Sequence, residues 1–128
     1  MVKDKVDSLA RARGHGSAKS GVHHWVAQRV SAILLLLLLP WLVYALICAG
    51  GPEFASAVEF AARPWNAALF LLTFLTLLYH GMLGMQAVIE EYVSHRATEL
   101  VLHFIVRAAV LLAAALGVIH ILKLALGT

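Results

Sequence analysis

Val30-Ser31-Ala32-Ile33-Leu34-Leu35-Leu36-Leu37-Leu38-Leu39-Pro40-Trp41-Leu42-Val43-Tyr44-Ala45-Leu46-Ile47-Cys48-Ala49 is the stretch that decides the fold class. No Asp, Glu, Lys or Arg lies between Arg29 and Glu53. As a helix rising ~1.5 Å per residue, the run crosses a hydrocarbon core of ~30 Å. It exceeds the ~7–15 apolar residues of a signal peptide, and its basic lead is unusually long for one. Leu46-Ile47-Cys48 matches a lipoprotein cleavage site only loosely, because Ile47 is not small. We therefore read a retained span over about residues 26–49. Pro40 predicts a kink, or a locally re-satisfied carbonyl near Leu36. Gly50-Gly51-Pro52 ends the helix.

Two further runs follow. Residues 64–89 again lack Asp, Glu, Lys and Arg, with Pro64 suited to a first helical turn and Trp65 to an interfacial anchor. Residues 100–126 are rich in alanine and leucine but carry His103, Arg107, His120 and Lys123, of which Arg107 and Lys123 can snorkel toward the ends. The chain is 62% hydrophobic and 13% charged, where a soluble domain carries about a quarter charged residues. Its 128 residues fit one membrane domain, residues 21–128, behind a mobile basic tail, residues 1–20. The class is all-α, with three transmembrane helices.

Five of the ten Lys and Arg precede residue 20, with Arg29 at the membrane edge, whereas the first loop has only Arg63. The positive-inside rule then places the amino terminus and the Arg96 loop inside and the carboxyl terminus outside. No aromatic interleaving or folded reader accompanies the basic tail, so it is read as topogenic and lipid-contacting rather than as a nucleic-acid site. Cys48 is the only cysteine, which excludes an internal disulfide and a CxxC centre. There is no GxGxxG and no flavin fingerprint.

His80 lies near the middle of the second span. At ~100° per residue, Thr73, Thr76, Gly84, Ala87 and Glu91 fall within about 40° of it. Leu71, Phe74, Leu78, Met82, Met85 and Ile89 collect on the opposite face and are expected to meet lipid. Two readings of His80 stand: a hydrogen bond across a helix interface, or axial ligation of haem iron. Gly81 and Gly84 would clear volume for a macrocycle and would equally suit close helix packing.

His80-Gly81-Met82-Leu83-Gly84-Met85-Gln86-Ala87-Val88-Ile89-Glu90-Glu91-Tyr92 resembles the haem-binding helix of the small hydrophobic anchor (D) subunit of succinate dehydrogenase. That family shows His, a Gly four residues on, and Asp-Tyr eleven and twelve residues after the His; Gly84, Glu91 and Tyr92 stand there. Glu91 departs from the usual Asp, keeping the charge and lengthening the reach. Gly21-Val22-His23-His24-Trp25-Val26-Ala27-Gln28-Arg29-Val30-Ser31-Ala32 is similar to the start of the family's first helix, with its Arg six residues after the His. Three spans, length and orientation agree, so the resemblance covers nearly the whole chain.

The resemblance implies one half of a haem-binding helical bundle, completed by a second membrane anchor (the C subunit). An iron–sulfur subunit and a flavoprotein subunit dock on its inner face, in a bacterial inner membrane with a cytoplasmic amino terminus and a periplasmic carboxyl terminus. His80 is then one axial ligand of haem b, with Gly84, Arg29 and His23 around the haem. Tyr92, with Glu91 and Ser31, lies at the ubiquinone site. The complex is the enzyme; this chain alone does not oxidise succinate. Plainer readings stay open beside these. Glu91 suits a solvated helix-end carboxylate, Tyr92 an aromatic-belt anchor, and Arg29 a lipid-phosphate contact. A fumarate reductase anchor and a cofactor-free membrane scaffold are the alternative functions.

His103, Arg107, Val110, Ala114 and Gly117 share one stripe of the third span, for which packing is expected. His120 points about 100° away and is a poor candidate for the same haem.

Overall fold

The computed structural model describes residues 18–49 and 54–127. Residues 1–17 of the basic tail and the Gly50-Gly51-Pro52 terminator lie outside the described residues. Four helices follow in order: α1 (Ala18–Ala49), α2 (Phe54–Ala62), α3 (Pro64–Tyr92) and α4 (Arg96–Leu126). The three long ones meet the length and hydropathy of membrane spans, over Gly21–Ala49, Pro64–Tyr92 and Arg96–Leu126. Each exceeds its expected bounds, because the polar turns flanking an apolar run continue the helix until a cap or proline stops it.

α1 and α4 both pack on α3 and make no close backbone approach to each other among the described residues; one cavity is lined by Leu42 of α1, Phe70 and Phe74 of α3 and Ile121 of α4. α3 is therefore the central helix, antiparallel to both neighbours. A three-residue link, Val93-Ser94-His95, joins α3 to α4 and is too short for anything but an adjacent antiparallel pair. α1 remains one helix through the exposed Pro40. α4 ends on Gly127, whose φ of 70° is the left-handed cap that glycine adopts without a Cβ penalty.

The seams are written in spacing. On α1, His24, Gln28, Ser31, Leu35, Leu38, Leu42 and Ala45 recur at alternating steps of four and three, the interval that keeps one edge of a helix against a neighbour. Ser31, Leu35, Leu38 and Ala45 of that set are buried, Ala45 completely. Thr73 and Thr76 of α3 are buried too, and their hydroxyls donate to Leu69 O and Leu72 O at 2.7 Å. A threonine satisfied within its own helix can enter an apolar seam without an orphaned polar group. Further along, the Trp41 and Phe70 rings meet edge-on at 5.0 Å.

The bulky face of α3, expected to meet lipid, instead packs largely on α4. Phe74 wedges against Gly117, Leu78 and Met82 line a groove with Arg107, Val110, Leu111 and Ala114, and Ile89 is buried. Met85 alone of that set keeps half its surface, at 52%. The physical reason is that a central helix packs on two neighbours, so apolar bulk on its second face marks a helix as readily as lipid. The α4 stripe of His103, Arg107, Val110, Ala114 and Gly117 does face inward, toward α3.

Helix α2 was not expected. Asn66 Nδ2 donates to Phe60 O at 2.8 Å, tying α2 to the first turn of α3. Outside, Leu36, Leu37, Ile47, Phe104 and Leu111 are each about 70% exposed. Side chains of that kind in such number belong against acyl chains or a partner helix, not water.

Candidate functional site

His80 sits in the α1–α3 seam, half-buried, with its ring held from α1. Ser31 Oγ lies 2.9 Å from His80 Nδ1, and the same hydroxyl donates to Gln28 O at 3.0 Å. Among the described residues, Nε2 of His80 meets no hydrogen-bond partner. One turn on, His24 Nε2 donates to Leu83 O at 3.2 Å. Gln28 packs beside Gly84, and its amide oxygen is buried without a partner among the described residues. Three polar α1 residues thus face the His80 edge of α3 in consecutive turns.

Gly81 and Gly84 are not packing glycines within this chain. A Cβ on Gly81 would meet nothing within 4 Å, and one on Gly84 would lie 3.8 Å from Gln28 Nε2, an ordinary contact. Gly117 is the opposite case, since a Cβ there would collide with the Phe74 ring. Close packing accounts for Gly117 and leaves the two glycines beside His80 without an internal reason.

The other expected site residues fall into two levels. His23 is exposed and lines a groove of ≈ 460 Å³ together with Ser31, Thr76 and Tyr79. Arg29 is exposed and stacks on Trp25, its guanidinium 5.3 Å from the ring centroid, a cation–π pair one turn apart. Tyr92 and Glu91 are exposed at the end of α3, Tyr92 at 77%. They stand eleven and twelve residues from His80, or ~17–18 Å along the axis. Ser31 does not join them, because antiparallel α1 brings residue 31 to the level of residue 80.

Glu90 and His103 were not singled out as a pair. They approach at 3.7 Å across the α3–α4 seam, and His103 Nδ1 is buried without a partner among the described residues. His120 donates from Nδ1 to Leu116 O at 2.7 Å, on its own helix and away from this site. His24, Gln28 and Ser31 stand in the sequence at heptad spacing, a signal that weighing those residues one at a time does not use.

The model of the succinate dehydrogenase/fumarate reductase transmembrane subunit matches residues 3–122. The chain is similar to the succinate dehydrogenase hydrophobic membrane anchor subunit of Rickettsia bellii, 42% identical over 73% of this chain and 75% of the relative. The subunit of the same description from Rickettsia conorii is 40% identical over 74% and 76%. The succinate dehydrogenase membrane anchor subunit of Reclinomonas americana is 33% identical over 70% and 77%.

Proposed function

The chain belongs to the succinate dehydrogenase/fumarate reductase transmembrane subunit family, and from that premise we propose that it anchors a succinate:quinone oxidoreductase in the membrane, with His80 as one axial ligand of a b-type haem. The observation that carries the proposal is the mid-span imidazole, tethered at Nδ1 and free at Nε2, beside Gly81, whose flank nothing in the chain fills, and Gly84, which only the Gln28 amide approaches. Such a donor fits haem iron: imidazole is a common axial ligand, and a flat macrocycle needs a backbone cleared of Cβ atoms. When bound, haem b supplies a one-electron carrier within the bilayer.

The chain's own residues divide the remaining work. His80 orients one nitrogen outward from the seam, and Gly81 leaves the flank open. A second histidine comes from the second anchor subunit, which covers the exposed side of the α1–α3 pair. His23 and Arg29, at the amino-terminal end of α1, provide cationic or donor groups for propionates, as guanidinium geometry favours.

Tyr92, more than three helical turns beyond His80, donates its hydroxyl to a ubiquinone carbonyl at the inner boundary, with the Glu91 carboxylate beside it. Ser31 belongs with His80 in this reading, not with the quinone. The iron–sulfur subunit docks at the same end and carries the flavoprotein, so electrons reach quinone without crossing the bilayer. The excess of basic residues before α1 supports a cytoplasmic amino terminus and a periplasmic carboxyl terminus in a bacterial inner membrane.

The test is a reduced-minus-oxidised spectrum of the purified complex, with an inventory of its subunits by mass spectrometry. We expect b-type bands, a flavoprotein, an iron–sulfur protein and a second three-helix chain. His80→Ala is expected to abolish the bands while the four subunits still co-purify. Unchanged haem in that variant would refute the ligand assignment, and a colourless homo-oligomer would refute the oxidoreductase reading.

A further inference from the structure

The hydroxyl of Ser31 touches two atoms, and only one can take its hydrogen. Ser31 Oγ lies 3.0 Å from Gln28 O and 2.9 Å from His80 Nδ1. A carbonyl oxygen only accepts, and a serine carries a single hydroxyl hydrogen. Were that hydrogen directed to Nδ1, Oγ and Gln28 O would face each other as two acceptors at 3.0 Å. The arrangement that satisfies both contacts sends the Ser31 hydrogen to Gln28 O and has His80 donate Nδ1–H to Oγ. A doubly protonated ring would also satisfy them, at the cost of a cation in the hydrocarbon region. The neutral ring with Nδ1 protonated and a lone pair on Nε2 is the state that remains.

We propose that Ser31 is the positioning residue of His80, holding the imidazole as the Nδ1–H tautomer so that Nε2 presents its lone pair for iron ligation. This rests on His80 being the haem ligand. An oxygen accepting from the distal N–H of a ligating histidine fixes ring orientation and raises the ligand's donor strength. The backbone carbonyl of Gln28 makes the device possible, because it consumes the hydroxyl hydrogen and leaves Oγ an acceptor. Ser31 is 5% exposed, so water is poorly placed to replace it. A stronger donor favours ferric over ferrous iron, so Ser31 lowers the haem midpoint potential relative to a chain without it.

The experiment compares wild type with Ser31→Ala, Ser31→Thr and His80→Ala in the intact complex. The readouts are haem content, midpoint potential by redox titration, and the low-spin ferric electron paramagnetic resonance signal. Threonine keeps the hydroxyl, and its extra methyl can enter the groove that Ser31 shares with Val30, Leu34 and Tyr79.

We expect Ser31→Ala to move the ferric–ferrous equilibrium about tenfold toward ferrous, a rise of ~59 mV for one electron. Altered ferric g-values should accompany it, and Ser31→Thr should restore both. If alanine instead releases the haem, rescue by threonine supports the assignment and failure of rescue overturns it. Wild-type potential and g-values in Ser31→Ala would also overturn it, while leaving the ligand assignment intact. Retention of haem in His80→Ala would remove the underlying reading instead.

Discussion

Gly117→Ala tests the packing that holds α4 against α3. An ideal Cβ at this position would lie 2.9 Å from Phe74 Cδ1 and nearer still to Cε1 and Cζ. Carbon atoms in contact prefer ~3.5–4.0 Å, so the ring or the helix must move by roughly 1 Å. Forcing one extra methyl into a packed seam costs about 1–3 kcal/mol, against which alanine recovers up to ~1 kcal/mol of helix propensity. The net expectation is a loss of about 1–2 kcal/mol. Phe74→Leu shortens the wedge, so the double variant should be less destabilised than the sum of the singles by about 1–3 kcal/mol. The assay is a double-mutant cycle by detergent titration of the purified complex, followed by circular dichroism. Strict additivity of the two substitutions would refute the wedge, and with it the placement of Phe74 between α3 and α4.

Three further outcomes are expected. His24→Ala removes the donor to Leu83 O and should destabilise by about 0.5–1 kcal/mol in the same titration, the low end because an ordinary helical N–H still satisfies that carbonyl. Tyr92→Phe should lower kcat/KM for quinone about tenfold, the worth of one lost hydrogen bond in the transition state, with haem potential unchanged; an unaltered rate would make Tyr92 a membrane-belt aromatic only. Cys48 is the penultimate residue of α1, which the proposed topology sets at the periplasmic boundary, so a membrane-impermeant maleimide should modify this chain from the periplasmic side of intact cells. Labelling only after the cytoplasmic side is opened would invert the proposed topology.

Much of the candidate site can be read from sequence because membrane proteins place rare residues for strong reasons. A mid-span histidine in a run otherwise free of charge stands out, and residues 80, 84, 91 and 92 lie on one element whose helical phase follows from counting. The resemblance groups Ser31 with Tyr92 and Glu91, whereas the structure sets it beside His80, since the register of α1 against α3 is not encoded in either helix alone. Gly84 and Gly117 look alike in sequence. Only the neighbouring side chain tells that a Cβ would collide at Gly117 and would meet no more than an ordinary contact at Gly84.

Sequence by itself determined three spans, an all-α class and a polar edge on α3, because the hydrocarbon core demands ~20 apolar residues with internally satisfied backbone and tolerates few exceptions. Tertiary structure alone decided that α3 is central, that its bulky face meets α4 before lipid, and that Ser31 reaches His80. Those outcomes depend on which helix lies beside which and at what height. Packing between helices settles both, through contacts among residues 49 and 43 positions apart in the chain that no local pattern records.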